Sequence, residues 1–309
     1  MFPQTDLNSW KVAPTLHWSE EFGAWLHETG RMPNTISAYL QDMRHYFRYF
    51  NELSAANVKA YFAMQDVDNQ VKPSSRNRRL ASMRVFVQWA VEAGFMDVDP
   101  TVGVWRVEVE LSPRDRTVDE MCALDQVVTD QSHLRCKTEA HSLLGLRDEL
   151  IWNLFKDAGL RIAEVAGLKI SDVDLDEMKI HVLGKGGKKA DVLIPQRLVD
   201  VIVSWLARGP VSVEGHLVTD WNGHGISSGQ IRRRVQLMGE RAGVKNLKPH
   251  DLRHTYVYQT IDKAVRQGID LPVALDVARK QSRHSDVRTT MQFYLHARES
   301  QVRAVVEAR

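Results

Sequence analysis

Apolar residues recur every three to four positions through the first third of the chain: Phe22, Trp25 and Leu26, then Tyr39, Met43, Tyr46, Phe47 and Phe50, then Val58, Tyr61 and Phe62, then Leu80, Met83, Val87 and Ala90. This spacing predicts four amphipathic helices between Trp18 and about Gly94, packed as a small bundle. Thr35, after the Pro33-Asn34 pair, and Ser74-Ser75 read as start signals for the second and fourth helices, because their side-chain oxygens can accept amide protons that a first turn leaves unsatisfied. Asp99-Pro100 closes the bundle, and 101–116, with few periodic apolar residues, reads as a linker. A second domain then opens on Thr117-Val118-Asp119-Glu120, threonine followed three residues later by glutamate, which is capping-box spacing. An apolar helix is expected over 146–160. Over 179–194 the period changes to two, with Ile180 and Val182 on one face, a glycine-rich turn, and Val192 and Ile194 returning, which predicts a β-hairpin. Helical spacing resumes over 196–207, 228–242, 249–265, 271–280 and 287–306. The expectation is a mainly α chain: a short extension (1–16), a four-helix domain (17–100), a linker (101–116), and an α+β domain with a small antiparallel sheet (117–309).

Length agrees with two domains, since 309 residues exceed one comfortable core and the 43% hydrophobic content can fill both. No run of about 18 apolar residues is present to span a bilayer, and the N-terminal MFPQTDLNSW lacks a charged region followed by an apolar stretch, so a cytoplasmic protein without a membrane partner is expected. Cys122 and Cys136 fit neither a disulfide framework nor a zinc site. The net charge of +2 announces no nucleic-acid partner, but its distribution is uneven. Over 72–84 there are five cations (Lys72, Arg76, Arg78, Arg79 and Arg84) and no acid; over 232–253 there are seven, beginning with Arg232, Arg233 and Arg234, against Glu240 and Asp251. Such stripes either track phosphates or are solvated helix faces.

Four stretches in the second half carry candidate chemistry. GLRIAEV puts Arg161 at a helix start with Glu164 one turn on; GKGGKK puts Lys185, Lys188 and Lys189 in the hairpin turn; PHDLRHT puts His250 and Arg253 on one helical face; SRHSDVRTTMQFYLH supplies His284 and Tyr294. Each has a plainer reading as a salt bridge, a solvated turn or a core aromatic. GKGGKK is not a nucleotide loop, because Val182 stands where the first glycine belongs and no Ser or Thr follows the lysine. His250 and His254 have the spacing of a zinc pair, but Asp251 replaces the glutamate a metalloprotease needs and Arg253 would repel the ion, so no metal is expected.

In this order, Arg161, Lys185, His250, Arg253, His284 and Tyr294 resemble the catalytic set of the tyrosine recombinases, the family of phage integrases and of Xer-type and Cre-type enzymes. The resemblance covers nearly the whole chain: GLRIAEVAGLKISDVDL and HSDVRTT are similar to family boxes, and TISAYLQDMRHYFRYF with SSRNRRLASMRVFVQWAVEAGFMDVDP is similar to the SAM-like core-binding domain. It implies a tyrosine recombinase fold and a DNA strand transferase without cofactor. Tyr294 would be the nucleophile, Arg161 and Arg253 the phosphate clamps, His250 the base, Lys185 the acid, His284 a phosphate hydrogen-bond donor, and Glu164 an orienting group. Double-stranded DNA, clamped by both domains, would be the partner of a homotetramer, with the 72–84 stripe facing DNA and the apolar tail residues Val302, Val305 and Val306 docking on a neighbouring subunit. Two departures stand out: the segment between Arg253 and His284 is long, with a charged stretch near 263–270, and Arg283 replaces a usual glycine. Relaxation of DNA by a type IB topoisomerase and DNA binding by a non-catalytic regulator are the competing functions.

Overall fold

The computed structural model describes residues 17–68, 70–109, 116–133, 139–183, 189–284, 286–288, 290–291 and 294–295. The chain divides into two compact units, Met1–Leu111 and Ser112–Arg309. In the first, α1 (Trp18–Glu28), α2 (Pro33–Tyr46), α3 (Ala55–Val67) and α4 (Pro73–Glu92) surround an apolar core built on Phe22, Leu26, Tyr46, Tyr61, Phe62, Leu80 and Phe86. The expected start signals are displaced. Helices α2 and α4 begin at Pro33 and Pro73, after Met32 and Lys72, because a proline in the first turn has its φ already set and no amide hydrogen to leave unsatisfied. Ser54, which was not singled out, does cap its helix by accepting from the Asn57 amide at 3.2 Å.

Polar side chains of α4 fasten this unit internally. Arg76 is 6% exposed and donates to Asp66 at 2.5 Å and to the Trp105 carbonyl at 2.7 Å. Asn77 exchanges bonds with the Val107 backbone, and Arg84 donates to the Val104 carbonyl at 2.8 Å. The buried Asp42 receives Arg78 at 2.6 Å and Ser82 at 2.7 Å. Residues 104–107, expected as linker, are thereby strapped along the helix.

The second unit opens as expected, with the Glu120 amide donating to Thr117 Oγ1 at 3.1 Å and the Glu120 carboxylate accepting the Thr117 amide at 3.0 Å. Its elements are α5 (Val118–His133), α6 (Glu139–Lys156), the short α7 (Ile162–Gly167), β1 (Val173–Asp174), β2 (Lys179–Leu183), β3 (Lys189–Leu193), α8 (Gln196–Arg208), α9 (Ser228–Arg241), α10 (Pro249–Arg266) and α11 (Leu271–Ser282). The sheet is antiparallel in the order β1-β2-β3, with Ile180 opposite Val192 and Val182 opposite Ala190. Ile180, Val182 and Val192 face the main core, beside Leu150, Phe155, Leu198 and Ile202. A smaller apolar cluster joins α10 and α11 through Val257, Ile261, Ala274 and Ala278. The charged stretch near 263–270 is the end of α10 and the turn into α11. No helix among the described residues is long and apolar enough to cross a membrane.

Candidate active site

The site grows from a glycine whose backbone and surroundings disfavour any side chain. After α6 the chain turns at Gly159 with φ +57°, and a Cβ there would lie 2.2 Å from the Tyr256 ring. The tight pass leaves the Gly159 carbonyl free to accept from two guanidiniums, those of Arg253 and Arg283. Two residues on, Arg161 is extended and caps α7. Glu164 Oε2 accepts the Arg161 amide at 2.7 Å, as a carboxylate at a helix start should, while Oε1 accepts Arg161 Nη1 at 2.7 Å. Arg161 Nη2 donates to the Arg283 carbonyl at 2.9 Å.

Helix α10 brings the second group. Asp251 accepts the Lys248 amide at 3.2 Å and Arg116 Nη2 at 2.6 Å, and Arg116 also donates to the Asn246 carbonyl, so the first turn is held from outside. Arg253, 2% exposed, donates to the Gly159 and Ser282 carbonyls and so ties the turn after α6 to the end of α11. The His250 and His254 rings stand 4.2 Å apart. Beyond α11, Arg283 is left-handed and His284 shares a 2.9 Å hydrogen bond between Nδ1 and Thr290 Oγ1.

Three guanidiniums thus gather around one shared carboxylate. Burial would raise the Glu164 carboxyl, but Arg283, the Arg161 hydrogen bonds and the Arg161 charge outweigh it and hold the group below its ordinary value. Arg253 is lowered to about 9, by burial first and then by Arg161 and Arg283. The imidazoles are neutral for the same reasons. Burial, then Arg253 and Arg161, lowers His284 to about 4; burial, then His250 and His284, lowers His254 to about 3. His250 is also lowered, by burial and then Arg253, with Asp251 opposing. Of the three guanidiniums, that of Arg161, whose side chain is 39% exposed, is the one placed to receive an anion.

A stability profile follows from the histidines. As pH falls below about 6.5 the unfolded chain takes up protons on His254 and His284 while the folded chain does not, until pH nears 4 and then 3. The DNA-free protein should therefore lose thermal stability steadily between about pH 6.5 and 4, as scanning calorimetry would record. A melting temperature flat across that window would contradict the neutral, buried assignment.

Residues 129–301 match the Phage integrase family model, and residues 20–94 match Phage integrase, N-terminal SAM-like domain. The chain belongs to the phage integrase family of tyrosine recombinases. Among integrase relatives, Tyrosine recombinase XerC of Mycobacterium bovis (strain BCG / Pasteur 1173P2) is 28% identical over 306 residues, 93% of this chain and 96% of the relative. Tyrosine recombinase XerC of Xylella fastidiosa (strain M23) is 27% identical over 287 residues, 90% and 91% of the two chains. The fold is shared with a lambda integrase dimer bound to a COC' core site (TM-score 0.68, 15% identity, 93% of this chain and 78% of that one). It is also shared with XerH bound to palindromic difH substrate in a post-cleavage complex (TM-score 0.66, 16% identity, 93% and 84%).

Of the integrase set predicted from sequence, Arg161, Glu164, Arg253, His250 and His284 interact with one another in the second unit. Tyr294 is 4% exposed and packs in the apolar cluster of α10 and α11, its ring 6.1 Å from that of Tyr258. Lys185 and the tail beyond Leu295 lie outside the described residues. In the candidate DNA stripes, Arg76 is buried in the network described above, Arg79 donates to Gln65 at 2.9 Å, and Lys72, Arg78 and Arg84 keep exposed side chains. Arg234 is committed to the buried Asp148, Arg233 pairs with Glu240 at 3.1 Å, and Arg232 is exposed on α9. Sequence reasoning assigned no role to Arg116, Tyr256 or His254, and treated Arg283 as a departure rather than a participant.

Proposed function

We propose that this integrase cleaves and rejoins duplex DNA at specific sites through a 3′-phosphotyrosine on Tyr294. The observation that carries the assignment of roles is the anion-seeking cluster of Arg161, Arg253 and Arg283 around Glu164 in a chain that matches the family over both its domains. A phosphodiester resists attack until donors stabilise the charge that builds on its non-bridging oxygens, and Arg161, with Arg253 beside it, supplies charge-assisted donors for this. The Tyr294 hydroxyl attacks phosphorus and gives its proton to neutral His250; the 5′ oxygen leaves with a proton from Lys185. His284 donates to the phosphate. One P–O bond forms as another breaks, so the energy needed for rejoining stays in the phosphotyrosine and no nucleotide is consumed.

Relatives of the fold include a lambda integrase tetramer bound to a Holliday junction, which supports a four-subunit synapse here, built on double-stranded DNA in the cytoplasm. Exposed Lys72, Arg78, Arg84 and Arg232 are the candidates for phosphate contact, each expected to add to the salt dependence of binding. Short inverted repeats, sought by sequencing the DNA that flanks the gene, would supply the test duplexes. Purified protein should form a detergent-stable DNA adduct and recombinant products in EDTA without nucleotide, because guanidiniums and a lysine take the place of a metal clamp. Cleavage that stops on chelation and returns with Mg²⁺ would refute this mechanism, and relaxation without recombinant products would favour a topoisomerase.

A further inference from the structure

We propose that Arg283 is a positioning residue for strand cleavage: its guanidinium grips the Glu164 carboxylate while its own backbone carbonyl receives Arg161, so that one residue fixes the phosphate-binding arginine from two directions. The inference rests on the reading of Arg161 as a phosphate ligand.

The contacts are specific. Arg283 Nη2 lies 2.6 Å from Glu164 Oε2 and Nε lies 3.3 Å from Oε1, so both oxygens are engaged by both arginines. The Arg283 and Glu164 side chains are 5% and 8% exposed, which removes the solvent screening that makes surface pairs weak. The remaining Arg283 donors are also committed, Nη1 to the Gln281 carbonyl at 2.7 Å and Nη2 to the Gly159 carbonyl at 3.3 Å. With Nε, Nη1 and Nη2 all engaged, the Arg283 guanidinium has no nitrogen left over for a phosphate, whereas the Arg161 side chain is 39% exposed. Arg283 therefore acts through Arg161, not on the substrate.

The backbone supports the same reading. Arg283 sits at φ 56°, ψ 42°, where glycine is at ease and an arginine is strained. That conformation turns the Arg283 carbonyl toward Arg161 Nη2, while the carbonyl one residue earlier, on Ser282, receives Arg253. Both arginines of the clamp are thus aligned by consecutive carbonyls at one bend. A residue chosen for the bend alone would be glycine, and the side chain present is the one that also closes the ion pair.

A staple that only holds α7 to the end of α11 would predict different behaviour, and pH separates the two. Glu164 is faced by Arg161 at the start of α7, by Arg283 after α11 and by the charge of Arg253 on α10, and it lines a cavity with Asp172 and with His181 of β2. With Arg283 removed, Arg161 remains as its partner, so the carboxyl titrates closer to neutrality. Protonated Glu164 no longer holds Arg161, and the acid limb of the cleavage rate moves to higher pH.

The test is single-turnover cleavage of a suicide duplex by the full chain. For Arg283→Gly, which suits the left-handed backbone, the expected result is unchanged half-site affinity and cleavage slowed by roughly 10- to 100-fold, as for a misplaced catalytic group. Its acid limb should move up, and Arg283→Lys, which keeps the charge without the fork, should fall between. Adding Glu164→Gln to Arg283→Gly should cost less than the two single losses combined. Wild-type rate and pH profile in Arg283→Gly would overturn the proposal, as would a rate that falls only in step with half-site binding and melting temperature. If Arg283→Gly does not fold, Arg283→Lys decides, a wild-type rate and profile overturning and a slowed, shifted one supporting. A wild-type chain that forms no covalent adduct would overturn the recombinase reading itself, a failure visible before any variant is compared.

Discussion

Lys185→Ala is expected to cleave ordinary DNA about 10²- to 10⁴-fold more slowly and to recover most of that loss when the bridging 5′ oxygen is replaced by sulfur. Arg161→Ala should stay slow on both substrates. In the proposed mechanism the two residues do different work on the same phosphate. A departing alkoxide needs a proton and a departing thiolate does not, so sulfur bypasses the acid. Charge on the non-bridging oxygens still has to be stabilised, and losing one such donor costs on the order of 10²- to 10³-fold whatever the leaving group. Lys185 is singled out from its neighbours by sequence, since Gly184 and Gly186 flank it directly, whereas Lys189 already belongs to β3. Equal rescue of Lys185→Ala and Arg161→Ala, or rescue of Lys188→Ala instead, would place the proton elsewhere.

Tyr294→Phe should abolish the adduct and spare the fold. The Tyr294 ring fills part of the cluster with Val257, Ile261, Ala274, Leu275 and Ala278, and phenylalanine fills the same volume. Removing the hydroxyl costs at most the net contribution of a hydrogen bond, about 0.5–1.5 kcal/mol, small beside total loss of the proposed nucleophile. Half-site binding and the melting curve should therefore stay close to wild type, while denaturing gels show no protein-linked DNA. Because only 4% of Tyr294 is accessible, the proposed attack requires its side chain to leave this cluster. Protein-linked DNA in Tyr294→Phe would remove it as the nucleophile.

Local regularities made much of this legible in sequence. The four-helix spacing of the first unit, the Thr117-Glu120 box and the alternation of Ile180, Val182 and Val192 all reflect neighbours within a turn or a hairpin. The starts of α2 and α4 were misread because Ser and Thr signals compete with a proline that needs no partner for its missing amide hydrogen. Strand β1, two residues long, is too short to show a period. Charge told even less, since a run of arginines does not reveal which will meet partners elsewhere in the chain: Arg76 meets Asp66 and the Trp105 carbonyl, and Arg234 meets Asp148. Arg283 shows the limit most clearly. Nothing local announces that its side chain crosses to Glu164, 119 residues away, or that its carbonyl receives Arg161.

The most direct measurement is mass spectrometry of the covalent complex formed on a suicide duplex, digested with protease and nuclease. The account predicts a nucleotide attached through its 3′ phosphate to the peptide carrying Tyr294, formed in EDTA and without nucleotide. Attachment through a 5′ phosphate, to any other residue, or the absence of a covalent product on a duplex the protein binds would contradict it.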